Sequence, residues 1–146
     1  EQVKQLWSAR KALSPSLRKV APKKINEDVV VPVSHIPKLI NGLQALSKRY
    51  QIPIVNFGHA GNGNIHVNLL VQLEQLDRAK ECLAEVFELV IQLNGSLSGE
   101  HGIGLEKRDY INLELEATAI GIMKKIKAQF DPKNLLNPDK VFPIDA

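Results

Sequence analysis

The stretch GHAGNGNIHVN, from Gly58 to Asn68, constrains the fold more than any other part of the chain. Apolar runs rich in β-branched residues flank it, with IPIVNFGHA before the segment GNGN and IHVNLLV after it. Glycine and asparagine tolerate the positive φ angles that a tight turn between antiparallel strands requires. The sequence therefore predicts a β-hairpin with its turn at residues 61–64, so the fold must contain an antiparallel sheet.

Hydrophobic periodicity predicts helices on both sides of this hairpin. Apolar residues recur at helical spacing in four segments, namely residues 1–14, 34–50, 75–93 and 106–130. Ser34 is the expected cap of the second helix, and the fourth is expected to break near Asn112. Short strands are predicted at DVVVP, residues 28–32, and at SLS, residues 96–98, with a polar loop over residues 15–27.

The order of these elements is helix, β-α-ββ-α-β, helix and tail. It predicts an α+β domain with an antiparallel sheet and helices on one face, ferredoxin-like in arrangement. The length fits a single domain, residues 1–146. The chain opens with EQVKQLW, as if within a helix, and closes with the extended tail FDPKNLLNPDKVFPIDA, whose apolar residues are expected to lie on another surface. We therefore expect a fragment of a larger protein.

Composition excludes several classes of function. No apolar run approaches the ~20 residues of a membrane span, and a cytoplasmic location, with peripheral membrane contact as a further option, is expected. Cys82 is the single cysteine, so an internal disulfide or a cysteine-based zinc site is excluded, and we expect Cys82 in the core. The net charge is +3 and aromatic residues make up 5%, so the basic cluster at residues 18–24 is interpreted as a solvated loop and nucleic-acid binding is not expected.

Two glycine-rich stretches carry the candidate chemistry. His59 and His66 are expected to face each other across the hairpin, with Cβ atoms ~5 Å apart, which lets two imidazoles bind one metal ion. Glu100, in GSLSGEHGIG, offers an oxygen ligand, and two histidines with one glutamate form a typical catalytic metal pattern. His101 beside it suits a general base. Together these residues indicate metal-assisted removal of a proton from an alcohol.

Other interpretations of the same residues stay open. His59 alone is typical of a surface histidine, and Glu100 offers a cap for the helix that follows. His35, at a helix start, is interpreted as structural, and GIGLEK lacks the full pattern of a phosphate-binding loop. The hairpin also fits a stand-alone metal- or ligand-binding module without redox activity, or an interaction domain in which it is only structural.

Three motifs carry a resemblance to a known family. NFGHAGNGNIHVN, GSLSGEHGIGLEK and FDPKNLLNPDKVFP, in that order, resemble the C-terminal domain of FAD-linked oxidases of the vanillyl-alcohol oxidase type, including glycolate oxidase flavoprotein subunits and dehydrogenases of D-lactate and D-2-hydroxyglutarate. INEDVVVPVSHIPKLI matches them as well. The resemblance implies that an N-terminal FAD domain is the partner of this one, which holds a small 2-hydroxy-acid substrate. It also implies oxidation to the 2-keto acid with hydride transfer to FAD, an inactive isolated fragment, and further redox subunits as partners.

The resemblance implies a role for each candidate residue. The implied ligands of a divalent metal are His59, His66 and Glu100, with Zn²⁺ the first choice and Mn²⁺ or Fe²⁺ as alternatives. His101 is the implied base that takes the proton of the 2-hydroxyl. Asn68 is implied to help hold the substrate.

The resemblance also implies a positive charge for the substrate carboxylate, which arginine binds with two parallel hydrogen bonds. Arg10 in WSARK is the first candidate and Lys24 the second. Asn137 in LLNPDKVFP is implied to approach the FAD. Many relatives have Asp at the position of Asn62, and this asparagine is expected to serve the turn.

Overall fold

The computed structural model describes residues 1–144 and confirms the α+β fold. The helices of this part are α1 (Gln2–Leu17), α2 (Ile36–Tyr50), α3 (Leu76–Gln92) and α4 (Ala117–Phe130). The strands are β1 (Lys23–Val30), β2 (Ile54–His59) and β3 (Asn64–Val71). Short 3-10 segments precede α2 and α3, and a longer one at Arg108–Leu113 precedes α4.

The sheet is antiparallel throughout, with the strand order β1-β3-β2. Its central strand, β3, places Val67 and Leu69 in a core shared with Leu43 of α2 and Phe87 of α3. Burying side chains of this size stabilises the fold by about 1.5–3 kcal/mol each. The prediction of an antiparallel sheet with helices packed on one face is therefore confirmed.

The predicted last strand is reduced to a single bridge among the described residues. Ser96 pairs with Val30 at the free edge of β1, through backbone hydrogen bonds of 3.1 and 2.8 Å. A complete ferredoxin-like sheet has a full strand at this edge, so that detail stays a prediction. The bridge nonetheless fixes where the following loop, residues 97–102, leaves the sheet.

Three element boundaries differ from their predictions. β1 starts at Lys23, inside the predicted loop, because Lys23–Glu27 pair with Val67–Val71 of β3. α1 continues past Pro15 to Leu17, since a proline so near the helix end removes little hydrogen bonding. Ser34 lies inside a 3-10 turn, closed by the hydrogen bond from His35 N–H to the Pro32 carbonyl, so it does not cap α2.

Two other predicted helix boundaries agree more closely with the structure. Asn94 has φ 57° and the Gly95 N–H donates to the Val90 carbonyl, so α3 ends where expected. The predicted helix over residues 106–130 is interrupted, as expected, although the interruption lies at residues 114–116 and follows a 3-10 segment. The extended backbone of Glu116 (φ −69°, ψ 152°) marks the break.

Two helices carry apolar side chains on the surface. α1 is solvent-exposed along most of its length, including Trp7 at 55%. The second apolar surface comprises residues of α4 and the tail, namely Ile122, Ile126, Phe130, Leu135 and Leu136. The tail folds back through a hydrogen bond from Val141 N–H to the Gly104 carbonyl. Within residues 1–144, no helix combines the length and apolar character needed to cross a membrane.

Candidate active site

The hairpin brings His59 and His66 together in a register that differs from the prediction. His59 pairs with Asn64, and His66 pairs with Phe57, so the two histidines are diagonal neighbours and are not directly opposed. The turn is one residue earlier than predicted, because Asn64 belongs to β3 and Gly63 (φ 79°) supplies the left-handed residue. The two rings still lie on one face, with centroids 5.7 Å apart and edge to face.

Polar side chains gather on the face of the sheet opposite α2 and α3, which we call the site face. Alternation along each strand sends successive side chains to opposite faces. In the register of the sheet, Asp28 of β1 lies opposite His66 of β3, and Asn26 lies opposite Asn68. Residues far apart in the sequence are thereby placed side by side on this face.

Glu100 reaches the histidines from the loop after the Ser96 bridge. Its Oε1 atom lies 3.4 Å from His59 Nε2 and 4.0 Å from His66 Nε2. The side-chain amide of Asn64 donates a hydrogen bond to the same oxygen. Glu100 does not cap a following helix, since the next helical turn begins only at Arg108.

Gly99 permits this close approach of the loop to the hairpin. A Cβ atom at this position would lie 2.6 Å from the side chain of Val30 and 2.8 Å from that of Asn64. Both distances are shorter than real Cβ contacts, so a larger residue would push the loop outward. Steric crowding therefore explains why a glycine precedes Glu100.

The donor set of His59, His66 and Glu100 fits a divalent metal ion. One ligand atom from each residue lies within 4.8 Å of the other two. Bonds of 2.0–2.2 Å to one tetrahedral ion separate ligand atoms by about 3.4 Å, so side-chain movements of about 1 Å would complete the site. Burial lowers the pKa of His66, despite the opposing effect of Glu100, and this favours the neutral imidazole that binds metal.

His101 lies beside this cluster. Its ring stacks on that of His66 with centroids 5.5 Å apart and an interplanar angle of 25°. Its Nδ1 atom is 3.4 Å from Asp28 Oδ1, and 46% of the side chain is exposed. An imidazole that has a carboxylate on one side and solvent on the other is well placed to exchange a proton with a ligand.

Asp28 and Lys107 were not among the predicted site residues. The Asp28 side chain is completely buried, and Lys107 Nζ lies 2.5 Å from its Oδ1 and 2.7 Å from its main-chain carbonyl oxygen. Burial alone would raise the pKa of Asp28, but hydrogen bonds from Lys107 and from the N–H groups of Glu100 and His101 outweigh it and hold that pKa well below its ordinary value. The available signal was an acidic pair opening an apolar strand, EDVVV, with a lysine closing the GEHGIGLEK motif.

Asn68 lies at the site face with its amide already engaged by protein. Its Oδ1 accepts from Asn26 Nδ2 at 2.8 Å, and its Nδ2 donates to the carbonyl oxygens of Val55 and His66 at 3.0 and 3.3 Å. Direct substrate contact by Asn68 stays a prediction. Its partner Asn26 is only partly buried.

The structure does not bring the remaining predicted residues into the candidate metal-binding cluster of His59, His66 and Glu100, within the part of the chain that it describes. Lys24 lies on the site face and donates from Nζ to the Ser14 hydroxyl at the end of α1, at 2.7 Å. Arg10 lies on α1 with its guanidinium 5.8 Å from the ring of Trp7. Asn137 lies in the exposed tail with φ 47°. Their roles stay predictions.

Three residues have the structural roles expected of them. His35 Nδ1 lies 2.7 Å from the Leu93 carbonyl oxygen, tying the start of α2 to the end of α3. Cys82 is buried in the core, where burial raises the pKa of its thiol to about 11. The side chain of Asn62 accepts a hydrogen bond from the Asn64 N–H and so stabilises the hairpin turn.

Comparisons with known proteins give matches along almost the whole chain. The family model described as FAD linked oxidases, C-terminal domain, matches residues 1–141. A glycolate oxidase subunit GlcD from Bacillus subtilis (strain 168) is 38% identical, across 100% of this chain and 32% of its own length. A D-2-hydroxyglutarate dehydrogenase from Stutzerimonas stutzeri (strain A1501) is 35% identical, across 97% of this chain and 32% of its own length. A mitochondrial D-lactate dehydrogenase [cytochrome] from Kluyveromyces lactis is 36% identical, across 97% and 26%. The chain thus spans about a third or less of the length of these relatives.

Proposed function

The chain belongs to the family of FAD linked oxidases, as their C-terminal domain, and on that premise we propose that it forms the substrate side of an enzyme that oxidises a small D-2-hydroxy acid to the 2-keto acid. The observation that carries the proposal is the cluster of His59, His66 and Glu100 with His101 beside it on the site face. The names of the relatives support the substrate class, since glycolate, D-lactate and D-2-hydroxyglutarate are all 2-hydroxy acids.

In this proposal the cluster holds a divalent ion. When bound, the ion supplies positive charge that polarises the substrate hydroxyl and lowers its pKa. Two imidazoles and one carboxylate suit Zn²⁺ first, and Mn²⁺ or Fe²⁺ as alternatives. His66 is the most buried of the three, with 14% of its side chain exposed against 44% for His59 and 48% for Glu100. The exposed side of the cluster is therefore where a substrate would enter.

The other residues bind the substrate and move its proton. His101 takes the hydroxyl proton through Nε2, the nitrogen that does not face Asp28. A cation must meet the substrate carboxylate, and Arg10 and Lys24 are the proposed sources, linked through the contact of Lys24 with Ser14 on the same helix as Arg10. FAD, bound by an N-terminal domain, supplies the hydride acceptor.

The exposed apolar surfaces support a partner domain. Phe130 of α4 is 82% exposed, and Leu135 of the tail is 73% exposed. Large apolar side chains exposed near one another in the chain are typical of interaction sites. We propose that α4 and the tail face the FAD domain, with Asn137 near the cofactor, and that redox subunits act beyond it.

Reduction of the flavin in the full-length protein tests the proposed function. Glycolate, D-lactate and D-2-hydroxyglutarate would be mixed separately with the protein without oxygen, and the loss of flavin absorbance would be followed. We expect at least one of the three to bleach the flavin, and His101→Gln to slow bleaching ~100-fold or more, since a positioned base contributes 10²–10⁴-fold. Bleaching by none of them would reject the proposal in favour of a metal- or ligand-binding module without redox activity. Bleaching at equal rates in the two proteins would reject His101 as the base.

A further inference from the structure

Asp28 accepts hydrogen bonds from the backbone of the loop that carries Glu100 and His101. Its Oδ2 accepts hydrogen bonds from three consecutive N–H groups, those of Gly99 at 2.8 Å, Glu100, and His101 at 3.1 Å. The Ser98 hydroxyl lies 3.3 Å from Oδ1 and also accepts the Gly102 N–H. One buried carboxylate therefore fixes the main chain on both sides of Glu100.

The other carboxylate oxygen of Asp28 lies near the side chains of Lys107 and His101. Asp28 Oδ1 lies 2.5 Å from Lys107 Nζ and 3.4 Å from His101 Nδ1. Lys107 is itself buried, with 2% of its side chain exposed, so its charge is not screened by water. The ammonium group keeps the Asp28 carboxylate ionised and in one orientation.

We propose that Asp28, held by Lys107, is the positioning residue that aims Glu100 at the two histidines and presents Nε2 of His101 to the substrate. This inference rests on the proposed function for the roles of Glu100 and His101. The loop needs such an anchor, because Gly99 and Gly102 leave its backbone with wide conformational freedom. A carboxylate at Nδ1 also favours the tautomer with the proton on that nitrogen, which leaves the Nε2 lone pair free.

The neighbouring residue offers a matched control. Glu27 is also a buried carboxylate, and its Oε2 lies 3.5 Å from the same Lys107 Nζ. As consecutive residues of β1, Glu27 and Asp28 point to opposite faces of the sheet, so Glu27 lies away from the loop. If the buried charges served stability alone, both carboxylates would matter for folding and neither would matter specifically for the site.

The test compares Asp28→Asn with Glu27→Gln in the full-length protein. Zn²⁺ affinity would be measured by competition with a chelating dye, kcat and KM by flavin reduction, and folding by chemical unfolding. Substitution of a residue that orients metal ligands typically lowers metal affinity or activity by about 10–100-fold. We therefore expect Asp28→Asn to lose ~10–100-fold in Zn²⁺ affinity and in kcat. KM should change less than kcat, and Glu27→Gln should stay within ~2-fold in Zn²⁺ affinity, kcat and KM. A folded Asp28→Asn protein with unchanged affinity and kcat would overturn the inference.

Asp28→Asn removes one of the two carboxylates that face buried Lys107 and could fail to fold, so two further measurements are included. The double variant Asp28→Asn/Lys107→Met removes both charges of the Asp28–Lys107 pair, and we expect it to fold while binding Zn²⁺ as weakly as the single variant. Amide hydrogen exchange in the unsubstituted protein needs no variant at all. We expect protection at Gly99, Glu100 and His101, and rapid exchange at all three would refute the anchor.

These outcomes separate the inference from the proposed function. An unsubstituted protein that neither binds Zn²⁺ nor reduces its flavin would reject the proposed function. Amide protection in that same protein would still decide whether Asp28 holds the loop. An active, metal-binding protein in which Asp28→Asn behaves as the unsubstituted chain would reject the inference alone.

Discussion

His59 and His66 occupy adjacent strands of one hairpin, with their ring centroids 5.7 Å apart, although neither is the register partner of the other. His59 is the last residue of β2, while His66 is the third residue of β3. Successive side chains of a strand point to opposite faces of the sheet. His66 is two residues along β3 from Asn64, the register partner of His59, so both rings lie on the same face. The turn therefore decides whether the two rings share a face, because a shift of the strand pairing by one residue would send one ring to the opposite face.

The turn itself supplies the first prediction. Gly63 has φ 79°, and a Cβ atom there would collide with the main-chain carbonyl of Val31. We expect Gly63→Ala to lower the free energy of unfolding by about 2 kcal/mol or more, since a left-handed non-glycine residue alone costs about 1–3 kcal/mol. Chemical unfolding measures the change.

Gly61 in the same turn is the matched control. A Cβ atom at Gly61 would meet open space, so Gly61→Ala should alter the free energy of unfolding by less than about 1 kcal/mol. Equal destabilisation by the two substitutions would contradict the described turn geometry.

The pH dependence of stability tests the buried carboxylates. Burial raises the pKa of Glu27 above its ordinary value of 4.5, although Lys107 opposes the rise. In the window that begins at pH 4.5 the folded state binds more protons than the unfolded state, so this carboxyl contributes stability that is lost as the pH rises through its raised pKa. Glu27→Gln mimics the protonated form, and its stability relative to the unsubstituted protein should increase with pH.

Chemical unfolding at several values between pH 5 and pH 8 provides this measurement. Asp28, whose pKa is lowered, stays charged at all of these pH values. Glu74→Gln, at an exposed glutamate, is the control that should show a constant difference from the unsubstituted protein. A constant difference for Glu27→Gln as well would show that Glu27 titrates alike in the folded and unfolded states.

Binding of the substrate carboxylate leads to a third prediction. Hydrogen bonds to charged groups contribute about 1.5–3 kcal/mol, so Arg10→Met should lower kcat/KM by ~10–100-fold. Lys11→Met, at the next position of α1, should leave it within ~2-fold. Steady-state kinetics with the best substrate provides the comparison. A loss in Lys24→Met and none in Arg10→Met would assign the carboxylate to Lys24 instead.

The charge of Glu100 supplies a fourth prediction. Glu100→Gln keeps the shape of the side chain and its contact with Asn64 but removes the negative charge that a divalent ion requires. We expect Zn²⁺ affinity to fall at least ~10-fold, because a neutral amide is a poorer ligand for such an ion than a carboxylate. Glu106→Gln, at an exposed position, is the control, and equal affinities in the two variants would exclude Glu100 as a ligand.

Periodicity and turn chemistry were enough to predict much of the fold. α2, α3 and the hairpin were expected because their apolar residues recur at helical or alternating spacing and because Asn94 and Gly95 end α3. The early start of β1 could not be predicted, since Lys23 to Glu27 are mostly polar and become a strand only by pairing with β3. Tertiary pairing overrides local composition in such strands.

The candidate site divides in a similar way. His59, His66 and Glu100 were identified from residue type and glycine spacing, and the structure brings their ligand atoms within 4.8 Å of one another. Asp28 was missed because its contacts are with a loop about seventy residues later in the sequence. It accepts hydrogen bonds from the backbone N–H groups of that loop. A sequence shows an acidic residue in a strand, but only the sheet register shows that it lies opposite His66.

The most direct test of the central claim is a count of the metal ions that the protein retains. The protein would be loaded with Zn²⁺, desalted and analysed by mass spectrometry, beside His66→Ala and the control His35→Gln. The ring of His35 lies 2.7 Å from the Leu93 carbonyl oxygen, away from the candidate metal site. We expect about one ion per chain in the unsubstituted protein and in His35→Gln, and none in His66→Ala, as for a single site with three protein ligands. Retention of the ion by His66→Ala, or its absence from all three proteins, would contradict the metal site on which the proposed chemistry depends.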